Sequence, residues 1–435
     1  MNHGCADLFS YSYSTSPYLS PDQPSQIYPK TMIRPAIRSL GRTRALTFRA
    51  SISPSSTLST FTKPSKVTQS RMSSTQTKTP CASHRHTSPH LPSKIPNTPI
   101  LLHRTIRSLR TWRRRLLHDH RVVGLVPTMG ALHEGHLSLI RLAARECHAV
   151  VVSHYVNPAQ FGVKEDLASY PSTWDSDMAS LAALDRELAE DGNNLGRIAA
   201  VFAPQTEEMY PSGFPGQEVD SKGSFVTVTP VGEVLEGKSR PTFFRGVATV
   251  CMKLFNVVQP ERVYFGQKDV QQTVVIKKMV KDFLMPLDVV VGETMREGDG
   301  LAMSSRNVYL GERRRKVATV LYKALRAAEG RFAAGQVERE QILGAARRVV
   351  DGVLEEQMAL KPEERVKYEV DYISLADPDT MGELQSVDKT KGGILSGAIK
   401  MFPVDAPQEE EDLGHSGGPA VRLIDNIILR PSSAS

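Results

Sequence analysis

Short apolar runs rich in β-branched residues alternate with amphipathic segments from residue 99 onward. The predicted strands are Val122–Val126, Val150–Val156, Ala199–Phe202, Arg262–Phe265 and Leu287–Val291. The predicted helices, whose apolar residues recur at helical spacing, are Leu109–His120, Leu137–Glu146, Met178–Leu188 and Val274–Phe283. Strands that alternate with helices form parallel sheets covered on both faces. The sequence therefore predicts an α/β fold built on a parallel sheet over residues 99–303.

The pattern changes character after about residue 305. Arg313 to Leu354 is strongly helical in composition, and short apolar runs at Lys367–Ser374 and Ala420–Ile424 predict strands. This combination predicts a smaller C-terminal α+β domain over residues 304–435. Two polar stretches, Gly192–Arg197 and roughly Asp405–Gly418, are typical of surface insertions.

Residues 1–98 show no sustained apolar period and are rich in Ser, Thr, Pro and Arg. Such a composition buries too little apolar surface to offset the entropy of ordering, so we predict a disordered basic extension. Within it, Met32–Ser51 has five arginines and no acids, and it resembles a mitochondrial presequence. A disordered stretch without a targeting role fits equally well. We therefore expect an intracellular protein, either cytoplasmic or, if this segment acts as a presequence, mitochondrial.

The charge distribution changes what the net charge of +7 implies. Twelve of the 54 Lys and Arg residues but only two of the 47 acids lie in residues 1–98, so the remainder is near neutral. A basic total of this origin does not indicate a nucleic-acid partner. The four cysteines form no C-x-x-C pair, which argues against a disulfide framework or a zinc site. No run approaches the ~18 apolar residues that a membrane span needs.

The segment Pro127–His136 (PTMGALHEGH) follows a predicted strand and opens a predicted helix. A helix N-terminus presents free N–H groups and partial positive charge, so it attracts phosphate, and Gly135 allows close backbone approach. His133 and His136 share a helix face, where two imidazoles can stabilise charge on a transferring phosphoryl group. Two histidines at this spacing also occur as metal ligands, but no third ligand lies at a helpful spacing.

Two further segments suit phosphate binding. Lys268 and Asp269 follow a predicted strand, where a lysine can pair with phosphate and an aspartate can hold Mg²⁺ or a sugar hydroxyl. The segment Gly300–Asn307 combines small hydroxyl residues with Arg306, a forked donor for anionic oxygens. A solvated turn and an interdomain linker are the simpler interpretations of these two segments when each is taken alone.

Gly232–Ser239 matches the pattern of a P-loop, G-x-x-x-x-G-K-[ST]. A kinase or NTPase that uses Lys238 is therefore an alternative function. A phosphate cradle should not contain carboxylates, however, and Glu233 and Glu236 lie inside this one. We interpret the match as a coincidence, with Lys238–Pro241 forming a loop on the substrate side instead.

Taken together, these segments resemble the pantoate–β-alanine ligases (pantothenate synthetases), which belong to the H-x-G-H nucleotidyltransferases. The resemblance runs from about Val122 to Asn307, and more loosely to Arg422–Asn426. The matching motifs are Pro127–His136, Val156–Phe161, Tyr170–Thr173, Phe265–Gln272 and Gly300–Asn307. The resemblance implies a Rossmann-like domain that binds ATP and pantoate over residues 99–303. It also implies a homodimer that acts on small molecules, without a nucleic-acid or membrane partner.

The family's reaction is the ATP-dependent condensation of pantoate with β-alanine through a pantoyl-adenylate, with release of AMP and pyrophosphate. The resemblance implies that His136, a proton donor, acts with His133, Lys268 and Arg306 in catalysis. The residues implied to bind ATP are Pro127, Thr128, Met129, Gly130, His133, Gly135, His136, Gly266, Lys268, Asp269, Met295, Met303, Ser304, Ser305 and Arg306. Those implied to bind the other substrates are Gln160, Gln272 and Asn157. Asp269 would also hold Mg²⁺.

The sequence departs from the family's pattern at two positions. Phe243 stands where the family often has histidine, which implies the loss of a polar contact to nucleotide or substrate. Gln267 stands where glutamate is frequent, which implies one carboxylate fewer near the metal. An inactive member of the family and an RNA-binding accessory protein that uses the basic extension remain alternatives.

Overall fold

The computed structural model of the protein describes residues 93–162, 167 and 170–431. These residues all belong to one compact unit, 83–435. The predicted presequence Met32–Ser51 and the rest of residues 1–92 lie outside the described residues. Residues 93–98 were expected to belong to the extension, but they contain a short strand and Ile95, which is only 3% exposed. A single isoleucine among Pro, Ser and Thr gives no periodic signal, which explains why the folded region begins earlier than expected.

A seven-stranded sheet dominates the first part of the described chain. Its strands are β1 (Ser93–Lys94), β2 (Leu101–His103), β3 (Val123–Thr128), β4 (Ala149–His154), β5 (Arg197–Phe202), β6 (Arg262–Gly266) and β7 (Asp288–Gly292). They lie in the order β1-β2-β5-β4-β3-β6-β7, and every pair except β1–β2 is parallel. This confirms the predicted α/β fold with a Rossmann-like parallel sheet. The strand order reverses between β3 and β6, where ligands bind in such sheets.

Helices cover both faces of this sheet. They are α1 (Ile106–His118), α2 (Glu134–Glu146), α3 (Trp174–Glu190), α4 (Thr206–Met209), α5 (Glu236–Ser239), α6 (Phe243–Val258) and α7 (Val270–Asp282). Alternate residues of β3 face opposite cores, as a two-residue period requires. Leu125 packs in the core that includes α1, α6 and α7. Val126 packs in the core that includes α2 and α3.

A second sheet, antiparallel and three-stranded, forms the C-terminal part. The elements are α8 (Gly311–Val317), α9 (Val320–Ala333), α10 (Arg339–Met358), β8 (Tyr368–Ala376), β9 (Gly393–Met401) and β10 (Val421–Leu429). The strands lie in the order β10-β9-β8, and a separate hydrophobic core joins them to α9 and α10. The predicted α+β architecture is therefore present. The expected boundary at residue 303 falls in the segment that connects β7 to α8.

The longer of the two expected insertions is exposed but anchored. Arg314 of α8 is only 1% exposed, and its guanidinium donates hydrogen bonds to the carbonyl oxygens of Leu413 (3.2 Å) and Pro419 (2.7 Å). The loop is therefore attached to the start of α8. The shorter stretch ends inside the sheet, since Arg197 is the first residue of β5. Within the part of the chain that the structure describes, no helix is long and apolar enough to cross a membrane.

Candidate active site

Two adjoining cavities, of about 720 and about 200 Å³, lie at the carboxyl end of the parallel sheet. The smaller cavity reaches the ends of β3 and β6, and the larger one extends toward β8 and β10. Lys268, Asp269, Ser304 and Arg306 line both. Every residue that the sequence implied for substrate, ATP or metal lines the smaller cavity, except Gly130. The structure thus brings together segments that are separated by up to 179 positions in the sequence.

His133 and His136 form a reciprocal cap at the start of α2. The Nδ1 atom of His133 accepts a hydrogen bond from the Gly135 backbone N–H (3.1 Å). The Nδ1 atom of His136 accepts one from the His133 backbone N–H (3.4 Å), and the two rings lie 4.1 Å apart. The sequence predicted free N–H groups here, and this is a correction, because the cap already occupies those of His133 and Gly135. The positive end of the helix dipole still faces the cavity.

Burial favours the neutral form of both histidines near pH 7. Burial, followed by the charge of Lys268, lowers the pKa of His133 to about 4. Burial, followed by the neighbouring His133, lowers the pKa of His136 to about 3. Since each Nδ1 accepts a hydrogen bond, the single ring proton resides on Nε2. The two imidazoles can therefore donate Nε2–H hydrogen bonds to an anion without carrying a charge.

Asp177 holds the loop between β3 and α2. Its Oδ2 accepts a hydrogen bond from the Ala131 backbone N–H (2.9 Å), and its Oδ1 accepts one from Leu132 (2.8 Å). The Thr173 hydroxyl donates to Oδ2 as well (2.9 Å), and His154 Nε2 lies 2.9 Å from it. Burial would raise the pKa of this carboxyl, but these hydrogen bonds outweigh burial and lower it.

Gly130 shows why this loop is restrictive. Its φ is +84°, and a Cβ atom there would lie 2.7 Å from His154 Nε2 and 3.2 Å from Asp177 Oδ2. Gly130 therefore allows the chain to turn closely around the Asp177 carboxylate. Asp177 and His154 were not predicted from the sequence. The available cue was the position of Asp177, one helical turn after the Tyr170–Thr173 motif.

Asn157 positions Gln160 rather than facing the cavity freely. Asn157 is 1% exposed, and its Nδ2 donates to the side-chain Oε1 of Gln160 (3.0 Å). Its Oδ1 accepts from the Tyr210 hydroxyl (2.7 Å). Helix α6 packs tightly behind this segment, since a Cβ at Gly246 would lie 2.0 Å from the Ala159 carbonyl oxygen. The Gln160 carboxamide is thus held by a hydrogen bond to its oxygen, which leaves its nitrogen able to donate into the cavity.

Lys268 and Asp269 form a short 3₁₀ turn between β6 and α7. Lys268 Nζ lies 3.2 Å from both carboxylate oxygens of Asp269. No cluster of three or more His, Cys, Asp or Glu side chains that could hold a metal occurs in the described ranges. A single carboxylate suits Mg²⁺ that arrives with nucleotide phosphates, because Mg²⁺ is usually held by one or two carboxylates and the substrate.

The segment that carries Met303 to Arg306 is attached to a backbone turn. Met303 N–H donates to the Met295 carbonyl (2.9 Å), and Glu297 N–H donates to the Leu301 carbonyl (2.8 Å). The Ser304 hydroxyl then accepts from the Arg306 backbone N–H (3.2 Å) and caps a 3₁₀ turn. Residues 295–303, the hairpin, therefore determine where Ser304, Ser305 and Arg306 enter the cavity.

The two departures from the family's pattern have different structural consequences. Phe243 lines both cavities, and the Arg240 guanidinium stacks 4.0 Å from its ring centre, so an apolar ring does face the site. Gln267 was expected to leave a carboxylate missing near the metal, and this is a correction. Its side chain lines neither cavity and instead donates to Asn426 Oδ1 of β10 (3.2 Å).

The segment that matches a P-loop does not form a phosphate cradle. Glu236 is 5% exposed and is paired with Arg240 and Arg422. A Cβ at Gly237 would lie 2.0 Å from the Gly232 carbonyl oxygen, which shows that the loop folds tightly on itself. Lys238 is exposed and lines neither cavity. These contacts argue against the kinase alternative.

Comparison with known proteins identifies the same family as the motifs. The family described as Pantoate-beta-alanine ligase matches residues 101–428. A pantothenate synthetase of Chloroflexus aurantiacus is 45% identical over 308 residues, which is 71% of this chain and 92% of that protein.

Two solved structures are similar over most of the described chain. The pantothenate synthetase of Thermus thermophilus has 37% identity and a TM-score of 0.59, over 76% of this chain and 99% of that one. A pantoate–β-alanine ligase from Francisella tularensis, complexed with Beta-gamma ATP and β-alanine, has 28% identity and a TM-score of 0.53. It covers 77% of this chain and 100% of its own.

Proposed function

Because this chain belongs to the pantoate–β-alanine ligase family, whose members are ATP-dependent ligases, we propose that it joins pantoate to β-alanine through a pantoyl-adenylate and releases AMP and pyrophosphate. The observation that carries the proposal is the convergence on one cavity of the two capped histidines, Lys268 and Arg306. These groups are donors or cations, as stabilisation of a phosphate undergoing transfer requires. The ligands of the Francisella tularensis complex, a form of ATP and β-alanine, support the same substrates.

In the first step, a pantoate carboxylate oxygen attacks the α-phosphorus of ATP, and the bond to the β-phosphate oxygen breaks. Negative charge grows on the phosphate oxygens as pyrophosphate departs. We assign Lys268 and Arg306 to this charge as cations and the Nε2–H groups of His133 and His136 as neutral donors. One such donor is typically worth a factor of about 10²–10³ in kcat. A neutral His136 acts by hydrogen bonding, so we revise its implied role as a proton donor.

The ATP-binding residues fall into three groups. Pro127 and Thr128 end β3 and Met129 follows it, all three beneath the nucleotide, and Gly135 lets the nucleotide approach the cap. Gly266 and Met295 line the cavity beyond β6 and β7, and Met303, Ser304 and Ser305 line its other side. Gln160, held by Asn157, and Gln272 bind pantoate. A magnesium ion held by Asp269 and the phosphates would supply charge neutralisation for the leaving pyrophosphate.

In the second step, the amine nitrogen of β-alanine attacks the acyl carbon. The C–N bond forms, the C–O bond to AMP breaks, and the amine loses its proton. Water must be excluded while the adenylate waits, because hydrolysis would waste it. Tyr170 and Ser305 meet across the cavity at 3.5 Å, between their hydroxyl oxygens, and contribute to that closure. The protein performs little covalent chemistry itself, so orientation of the reactants should dominate the rate.

The test is to incubate the full chain with ATP, MgCl₂ and D-pantoate whose carboxylate carries ¹⁸O, with and without β-alanine. The proposal predicts exchange of labelled pyrophosphate into ATP with pantoate alone. It predicts pantothenate and one ¹⁸O atom in AMP only when both substrates are present. Products ADP and phosphate, with ¹⁸O in phosphate, would show an acyl-phosphate route instead.

Two variants make this test specific. Lys268→Ala should slow pyrophosphate exchange by about 10²–10³-fold, whereas Lys238→Ala, in the segment that matches a P-loop, should retain it. Loss of activity in Lys238→Ala with retention in Lys268→Ala would support the kinase alternative. Absence of turnover in the unaltered protein would identify an inactive family member. We further propose a homodimer, which light scattering of the purified protein tests directly.

A further inference from the structure

Strand β10 is an edge strand of the C-terminal sheet, and it carries two adjacent buried polar residues, Asp425 (5% exposed) and Asn426 (1% exposed). Adjacent side chains of a strand point to opposite faces. The two residues therefore reach different segments of the protein. Both of those segments belong to the candidate active site, although β10 follows them by more than 120 residues in sequence.

Asn426 makes hydrogen bonds to the turn that carries Lys268. Its Nδ2 donates hydrogen bonds to the backbone carbonyls of Gln267 and Lys268, both at 2.8 Å. Its Oδ1 accepts a hydrogen bond from Gln267 Nε2 at 3.2 Å. The carboxamide therefore uses both of its N–H groups and its oxygen on two consecutive residues. An amide is required for this pattern, because a carboxylate would face two carbonyl oxygens.

Asp425 forms an ion pair with Arg296 of the hairpin. Its two carboxylate oxygens accept hydrogen bonds from the two terminal nitrogens of Arg296, at 2.6 and 2.9 Å. Arg296 also donates to the Gly300 carbonyl (3.0 Å), and its guanidinium stacks 4.0 Å from the centre of the Tyr322 ring. A planar two-point contact of this kind fixes orientation as well as distance. The hairpin delivers Met303 to Arg306, so Asp425 determines where these residues enter the cavity.

We propose that Asp425 and Asn426 act as a paired positioning device that orients Lys268 and the Ser304–Arg306 segment for phosphate contact. The proposal rests on the function proposed above, since the oriented groups are those assigned to ATP. Neither residue is assigned a contact with the reacting atoms. They act through Lys268 and through the hairpin, so the C-terminal part helps to shape the phosphate site in addition to covering it.

A double-mutant cycle on the full chain tests whether Asn426 acts through Lys268. Asn426→Ala should lower kcat for pantothenate formation by about 10- to 100-fold, the range typical of residues that orient a functional group. The effect should be on kcat more than on KM for ATP, because a misplaced Lys268 loses contacts in the transition state. In a Lys268→Ala background the same change should have an effect below about threefold, since coupled sites are not additive.

The matched control is Ser374→Ala. Ser374 (0% exposed) lies in the same row across the sheet, through Ser396 of β9, and its hydroxyl has no partner among the described residues. This variant should retain kcat in both backgrounds. Equal fold losses for Asn426→Ala with and without Lys268 would show that Asn426 acts on stability generally and would overturn the proposal.

Hydrogen exchange provides a second test of the positioning role, one that does not depend on the reaction. Asn426→Ala should speed amide exchange in peptides that cover 266–270, and Asp425→Asn should do so in peptides that cover 295–303. Uniform acceleration across the C-terminal sheet, or none at either segment, would contradict the positioning role. If the unaltered protein fails to make pantothenate but the two variants show these selective accelerations, the proposed reaction is refuted while the positioning contacts stand.

Discussion

Asp177→Asn is the most informative single change, because this carboxylate holds residues 129–133 between β3 and α2, which we call the ATP loop after its proposed role. The asparagine keeps the shape of the side chain but replaces one oxygen with an NH₂ group. Asp177 Oδ1 accepts one hydrogen bond and Oδ2 is shared among three partners, all at 2.8–2.9 Å. Whichever oxygen is replaced, a backbone N–H of Ala131 or Leu132 then faces an NH₂ group.

The magnitude follows from these contacts. Hydrogen bonds to a charged group contribute about 1.5–3 kcal/mol each, and an unsatisfied buried donor costs about 1–3 kcal/mol. The variant loses the charge and leaves one donor or more facing a donor, so we expect the free energy of unfolding to fall by about 3 kcal/mol. The loop should shift with it, because Gly130 follows the carboxylate closely. We expect kcat/KM for ATP to fall by at least about tenfold.

Asp185→Asn is the matched control. Asp185 lies on the same helix, α3, is 1% exposed, and is paired through both oxygens with Arg197. Arg197 is itself 42% exposed and can be hydrated when the charge is lost, so the destabilisation should be only about 1–2 kcal/mol. Asp185 does not contact the ATP loop, so its variant should keep kcat/KM within about twofold.

The assays are urea unfolding and steady-state kinetics in ATP at 25 °C. The reasoning would be refuted if Asp177→Asn kept the kcat/KM of the unaltered protein, or if Asp185→Asn lost as much activity. Acid titration gives a second check. The hydrogen bonds hold the pKa of Asp177 below the ordinary 3.8, so its stabilisation is complete above that pH. The stabilisation should be lost as the pH falls through the lowered value, and Asp177→Asn should remove this dependence.

Three further predictions use other parts of the site. The imidazole resonances of His133 and His136 should not titrate between about pH 5.5 and 8 in the free protein, and a shift of either resonance in NMR of histidine-labelled protein would contradict this. In the unfolded chain both histidines take up a proton below the ordinary pKa of 6.5. The free energy of unfolding should therefore decline as the pH falls from 6.5 toward 4. Gly130→Ala should lower the free energy of unfolding by about 2–4 kcal/mol and weaken ATP binding. Gly335→Ala, at a similar φ of +93° but with nothing within 4 Å of the added Cβ, should lower it by only about 1 kcal/mol. Equal losses in urea unfolding would show that the clash with His154 does not matter. Asn157→Ala should raise KM for pantoate by about tenfold with little change in KM for ATP, since it frees the Gln160 carboxamide, and a change confined to ATP would contradict this assignment.

The parallel sheet was predictable because its strands are short, β-branched and separated by amphipathic helices. Helix α6 was not predicted, although its polar residues Arg245, Thr249, Lys253 and Asn256 recur at helical spacing. The prediction also missed β9, where two glycines and a serine lower the strand signal. Arg313–Leu354 was predicted as one helical region and consists of three helices. The last break falls after α9, where Gly335 adopts a φ of +93°.

The candidate site residues were predictable where they stand in contiguous motifs. Their supports were not, because each support is distant in sequence and ordinary in type. Asp177 is one of many helix carboxylates, and only the folded chain shows that it accepts hydrogen bonds from Ala131 and Leu132. The preference of His136 for the neutral form could not be predicted from the sequence either, since it depends on burial by elements outside the motif. The direction of the Gln267 side chain follows from Asn426, 159 positions away.

The hydrogen bonds that Asp425 and Asn426 of β10 make also bear on the order in which the protein folds. Strand β10 is the last strand of the described chain, and its Asn426 meets Lys268 across 158 positions. Contacts of large sequence separation form late, because the intervening chain must first be closed into a loop. A nascent chain folded as far as Asn307 would therefore carry every residue that we assign to catalysis while the turn that carries Lys268 still lacked its contacts with Asn426. Ligase activity should then appear only when the last strand docks, which would keep half-made chains from consuming ATP.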